Sequence, residues 1–83
     1  MRILYFAWLR ERLNKGEEEV NLPEQVRTVS DLLSWLASTD EAADLAFGDR
    51  RIIRAAVDER LVGHDASISG ARTVALFPPM TGG

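Results

Sequence analysis

The hydrophobic positions along the chain change period several times, and each change marks an element. Residues 2–8 read Arg-Ile-Leu-Tyr-Phe-Ala-Trp, an aromatic and leucine-rich run that suits a strand buried on both faces. Alternation divides it into a face with Ile3, Tyr5 and Ala7 and a face with Leu4, Phe6 and Trp8. Asn14-Lys15-Gly16 signals a turn, and residues 17–22 form a second strand close enough to pair with the first as a hairpin, ended by Pro23. The period then becomes helical. Thr28 stands where an N-cap belongs, Asp31 three residues on completes a capping box, and Val29, Leu32, Leu33 and Leu36 make one apolar stripe over residues 29–37. A weaker helical stretch follows over residues 41–47 and stops at Gly48. Residues 52–57, 61–62 and 73–77 read as three more strands. Asp58-Glu59-Arg60, Gly63-His64-Asp65 and Ser69-Gly70 are the turns around them. In the last strand Val74 and Leu76 point one way, and Thr73, Ala75 and Phe77 the other. Pro78-Pro79 must end it, because neither can donate a ladder hydrogen bond.

A hairpin, a helix and then more strands predict an α+β layer with the helix on one side of the sheet. The small fold with this order is the β-grasp, or ubiquitin-like, roll. There the first and last strands lie parallel at the centre of a mixed sheet. Residues 1–77 would be the β-grasp domain, and residues 78–83 a flexible tail leaving from its central strand.

Size and charge narrow the function. A chain of 83 residues holds one modest core and little room for a large catalytic cavity. The net charge of −3 argues against nucleic acid, which needs a basic face. There is no cysteine, so the chain has neither a disulfide nor a thiol nucleophile, and a single histidine cannot make a multi-histidine metal site. No bound cofactor and no metal are expected. The apolar run at the start meets Arg10-Glu11-Arg12 at once and lacks a small-residue cleavage site, so it reads as a strand and not as a secretory leader. No segment approaches the ~18 apolar residues of a membrane span, and a cytoplasmic location is expected.

Candidate chemistry is concentrated at the end, Leu76-Phe77-Pro78-Pro79-Met80-Thr81-Gly82-Gly83. Average usage gives a closing Gly-Gly about once in 200 chains, and with Pro-Pro upstream on the order of once in 10⁵. This ending resembles the small, sulfur-carrying subunit of molybdopterin synthase. So do the opening Leu4-Tyr5-Phe6-Ala7-x-Leu9-Arg10-Glu11 and the strand end Ala56-Val57-Asp58. The resemblance runs over essentially the whole chain. It departs from the family pattern at Gly70-Ala71-Arg72, where Gly-Asp-Glu is usual, and at Asp58, where Asn is usual.

The resemblance implies a mechanism. An ATP-dependent activating enzyme adenylates the carboxyl of Gly83, and a sulfur donor displaces AMP to leave a thiocarboxylate. That sulfur attacks the pterin precursor inside the large synthase subunit, in a heterotetramer where two carriers supply the two dithiolene sulfurs. ATP belongs to the activating enzyme. The chain supplies the reacting group and is not catalytic alone. Gly82 and Gly83, without side chains, suit a narrow channel, and Pro78-Pro79 keep the base of the tail extended. The resemblance also places Phe6, Leu61 and Phe77 on the partner-facing side with Arg10 beside them, and Pro78, Pro79, Met80 and Thr81 in the partner's grip. Strand alternation alone leaves open that the three apolar residues are core. His64 reads as a solvated turn residue, Glu17-Glu18-Glu19 as a solvated edge, and Trp35 as a residue at the core's rim. Other functions in view are a carrier for thiamine, cysteine or tRNA thiolation, a protein modifier joined to lysines through Gly83, and a β-grasp adaptor with an inert tail.

Overall fold

A computed structural model describes residues 1–79. Five strands form one mixed sheet: β1 (Arg2–Tyr5), β2 (Glu17–Glu19), β3 (Arg54–Val57), β4 (Arg60–Val62) and β5 (Thr73–Phe77). Their order is β2-β1-β5-β3-β4. β1 and β5 run parallel at the centre, with Ile3 opposite Val74 and Tyr5 opposite Leu76. The other pairs are antiparallel. Three helices, α1 (Trp8–Leu13), α2 (Val29–Thr39) and α3 (Glu41–Ala46), and a 3-10 turn (Arg50–Ile52) complete the described chain. This is the expected β-grasp roll, and α2 begins at the expected residue.

The core follows from alternation. Ile3 and Tyr5 on β1, Val74 and Leu76 on β5, and Ala55 on β3 all point to one side of the sheet and are buried. The stripe Val29, Leu32, Leu33 and Leu36 of α2 covers them, joined by Leu9, Phe47, Ile53 and Ile68. At the start of α2 the Thr28 hydroxyl accepts from the Asp31 N–H at 3.1 Å. The Asp31 carboxylate accepts from the N–H groups of Thr28 and Arg27 at 3.2 and 3.0 Å. Those bonds favour the charged carboxylate and hold its pKa below the usual range, the Arg27 N–H contributing most.

Several boundaries differ from the sequence reading, each for a physical reason. The first strand stops at Tyr5 and not at Trp8, because Ala7 takes φ 55° and turns the chain into α1. There Leu9 and Leu13, four residues apart, reach the core while Arg10 and Arg12 stay in solvent. Asn14 closes that helix in the left-handed conformation at φ 57°. β2 ends at Glu19 and not at residue 22. Arg50–Ile52 forms a 3-10 turn where the sequence suggests the start of a strand, so β3 begins at Arg54. The β3–β4 hairpin turns on Asp58 and Glu59, both at positive φ, the signature of a type I′ loop. None of the helices in the described residues is long and apolar enough to cross a membrane.

Candidate functional site

The parallel pair β1–β5 decides where the tail starts. Both strands point the same way, so the chain after Phe77 leaves from the end of the sheet at which β1 also stops. Arg54 is Phe77's partner on β3. On the β1 side the Phe6 N–H donates to the Leu76 carbonyl at 3.1 Å, which carries the register one step beyond Tyr5 and sets Phe6 beside Phe77. Pro78 and Pro79 follow, half-buried and outside the ladder. Met80, Thr81, Gly82 and Gly83 lie outside the described residues.

The sheet face away from the helices carries the odd set of β5 and the even set of β1. Ladder registry lines up Glu17, Leu4, Ala75, Ala56 and Leu61 in one row across all five strands. Phe6 and Phe77 lie one step towards the tail. Phe6 is 48% exposed and Leu61 73%, and Phe77 is half-buried. None of the three belongs to the core, so the alternative of a wholly internal trio does not hold. Among the described residues no second layer covers the face, and an apolar surface of this kind on a small domain is suited to contact with another protein.

Arg10 is placed by its neighbours at Gly16. Its guanidinium carbon lies 3.1 Å from where a Cβ on Gly16 would sit, and Gly16 accepts from the Tyr5 N–H at 2.9 Å. The Arg10 side chain therefore lies towards the β2 side of β1.

Three other residues are placed differently from the sequence reading. Glu18 is not part of a uniformly solvated edge. The strand turns it inward, where it accepts from the buried Tyr5 hydroxyl at 2.6 Å and pairs with the Lys15 ammonium at 3.0 Å. Burial, then this bond to a carboxylate, pushes the Tyr5 phenol far above its ordinary pKa. Glu17 and Glu19 do stay exposed, paired with Arg2 at 3.3 and 3.9 Å. His64 is half-buried, with Nε2 2.6 Å from the Ile53 carbonyl, so that nitrogen carries the proton and donates. Asp58 is more than a turn residue. One of its oxygens accepts from the N–H groups of Thr73 and Arg72, each at 2.9 Å, tying the hairpin to the root of β5. These bonds, Thr73 first, lower its pKa. An Asp at the start of a turn commonly binds nearby backbone, but the partner fourteen residues away carries no sequence signal.

Chemically the described residues offer contact surface. They contain no cluster of three His, Asp or Glu side chains able to hold a metal. No buried side-chain nitrogen or oxygen among them lacks a partner.

Comparison with known proteins extends the picture through the tail. A family model described as the ThiS family matches residues 3–83. The chain is 32% identical over 83 residues to the molybdopterin synthase sulfur carrier subunit of Escherichia coli (strain K12), covering 100% of this chain and 99% of that one. It resembles the structure of a putative molybdopterin converting factor, subunit 1, from Pyrococcus furiosus, with TM-score 0.74, 28% identity and 95% of each chain covered. It also resembles SAMP1 from Haloferax volcanii, with TM-score 0.74, 25% identity, and 99% and 97% covered.

Proposed function

The chain belongs to the ThiS family, and from that membership we propose that it is the sulfur carrier of a molybdopterin synthase, working through the carboxyl of Gly83. The observation that carries the reading is the full-length likeness to the E. coli sulfur carrier subunit, within a family match that runs through Gly83 itself. The fold supports it. β5 is a central strand held on both sides, so it anchors whatever follows Phe77 firmly to the domain.

A carboxylate is a poor electrophile. The activating enzyme lets the Gly83 carboxylate attack the α-phosphate of ATP, forming an acyl adenylate and releasing pyrophosphate. A sulfur donor then displaces AMP, leaving a thiocarboxylate. Its sulfur attacks the pterin precursor in the large subunit, where Phe6, Leu61 and Phe77 dock the domain and Pro78 to Thr81 lead the tail inward. The chain brings no base and no cofactor of its own, acts only with its partners, and works in the cytoplasm.

The test is reconstitution with activating enzyme, ATP, a sulfur donor and the large subunit, scored by product. Deleting Gly83 draws the reacting carboxyl back by about 3.3–3.6 Å of extended chain. A misplacement of about 1 Å can cost on the order of 100-fold in rate, so the deletion should abolish product. Gly82→Val, which adds a branched side chain and restricts φ and ψ, should do the same. Both variants should keep the parent's Tm. Normal product from the deletion sinks the carrier reading and favours an adaptor with an inert tail.

A further inference from the structure

The chain carries a net charge of −3, yet cations gather beside the end of its central strand. Arg54 stands opposite Phe77, the last residue of β5. With Arg50 and Arg51 of the 3-10 turn, and with Val62, Gly63 and His64, it lines an open cleft of about 470 Å³. No carboxylate is in that lining. Two carboxylates stand near it. Asp49 takes the Arg51 Nε and Nη2 at 3.0 and 3.2 Å, and Asp65 Oδ1 lies 3.1 Å from where a Cβ on Gly63 would sit. Arg50 is held by neutral acceptors, with Nε 2.7 Å from the Phe47 carbonyl and Nη1 3.3 Å from the Ser34 hydroxyl. Among the described residues neither Arg50 nor Arg54 has an ion pair. Guanidinium groups arranged in this way select a planar anion such as a carboxylate.

We propose that in the free carrier this arginine-lined cleft is the resting place of the chain's own C-terminal carboxylate at Gly83. The proposal rests on the carrier reading above, in which Gly83 bears a free carboxyl, and it assigns that group a site between partners. Charge complementarity is the first support. The second is reach. Pro79 is two residues beyond Phe77, and Arg54 is one strand across, so Pro79 is roughly 8 Å from the Arg54 backbone. Four residues follow Pro79, and they span up to ~13–14 Å. The third is tethering. An exposed arginine–carboxylate pair is weak between separate molecules, but a tail this short keeps its terminus at millimolar effective concentration or above. A weak contact suits a group that must be given up. The thiocarboxylate carries the same charge, so the cleft would hold the charged and the uncharged carrier alike. Each partner then competes with the cleft, and its apparent affinity falls by the fraction of tails at rest.

The test compares proton–nitrogen NMR spectra, near neutral pH, of the chain ending in the Gly83 carboxylate and of the same chain made with a C-terminal amide. The amide removes the charge and keeps the length. The Arg54 Nε–H signal and the backbone amides of residues 50–54 and 62–64 are expected to differ between the two forms. Arg60 and Arg72, at the other end of the sheet, should not change. The difference should survive dilution and fade at about 1 M salt, where screening acts within ~3 Å. Arg54→Gln alters an exposed side chain, so the domain should stay folded, and the difference at the remaining cleft residues should shrink. Identical Arg54 signals in the two forms, or equal changes at Arg60, overturn the proposal. So does a difference that disappears on dilution, which would mark the terminus of a second copy. The carrier reading is scored separately by product in the reconstitution. A chain that delivers sulfur but shows no spectral difference loses the resting site and keeps the carrier role.

Discussion

The same chemical change made at two leucines should separate what folds the domain from what the domain presents. Leu33 is 0% exposed, beneath the central strands, and Leu61 is 73% exposed on the open face. Truncating a buried leucine to alanine costs about 2–5 kcal/mol, including the cavity it leaves. A domain of 83 residues has on the order of 4–12 kcal/mol in total. At about 4–8 °C per kcal/mol, Leu33→Ala should lower Tm by ~8–40 °C. Leu61 retains only about a quarter of the burial worth ~1.5–3 kcal/mol to a fully enclosed leucine, so Leu61→Ala should cost ~0.4–0.8 kcal/mol and no more than about 6 °C. Urea denaturation followed by circular dichroism, with the slope held equal between variants, measures both. Affinity for the large subunit should order the other way, with Leu61→Ala folded and impaired in binding. The reasoning fails if Leu33→Ala costs under ~1 kcal/mol, or if Leu61→Ala costs as much as Leu33→Ala.

Thr28→Ala removes the hydroxyl that caps α2 and should cost about 1 kcal/mol in urea denaturation, with helix content otherwise kept. Tyr5→Phe keeps the buried ring but deletes the 2.6 Å bond to Glu18, a loss of about 1–2 kcal/mol by the same measurement. The carboxyls of Asp31, Asp49 and Asp58 all have lowered pKa values in the folded chain, each held by backbone or arginine donors. A depressed folded pKa means that the unfolded chain binds the proton first. Their contribution is then complete above the unfolded value of about 4 and is lost as pH falls through the folded values. Stability followed from pH 6 downward should therefore decline below about pH 4, and Asp58→Asn should shallow that decline.

Most of the fold is legible in the sequence because its signals are local. Thr28 and Asp31 are three residues apart, Val74 and Leu76 alternate within five residues, and Pro78 cannot continue a ladder. α1 is hidden for the opposite reason. Its apolar positions continue the run that begins at Ile3, and the residue that breaks the strand is Ala7, a non-glycine at positive φ with nothing in its side chain to announce it. The open-face trio is half legible. Alternation pairs Phe77 with Ala75 on one face, but only packing against α2 shows that this is the uncovered face. The bracket from Asp58 to Thr73 was out of reach, since it joins residues fifteen apart. The tail is the reverse case, with its meaning carried by Gly82-Gly83 and by family likeness.

The central claim is that Gly83 carries sulfur, and intact mass spectrometry tests it most directly. The chain is incubated with activating enzyme, ATP and a sulfur donor, then weighed whole and as its C-terminal peptide. The account expects a species heavier by the difference between one sulfur and one oxygen, confined to the peptide that ends in Gly82-Gly83, dependent on ATP and absent from the Gly83 deletion. An unchanged mass in the complete reaction, or the same increase in the deletion variant, would contradict it.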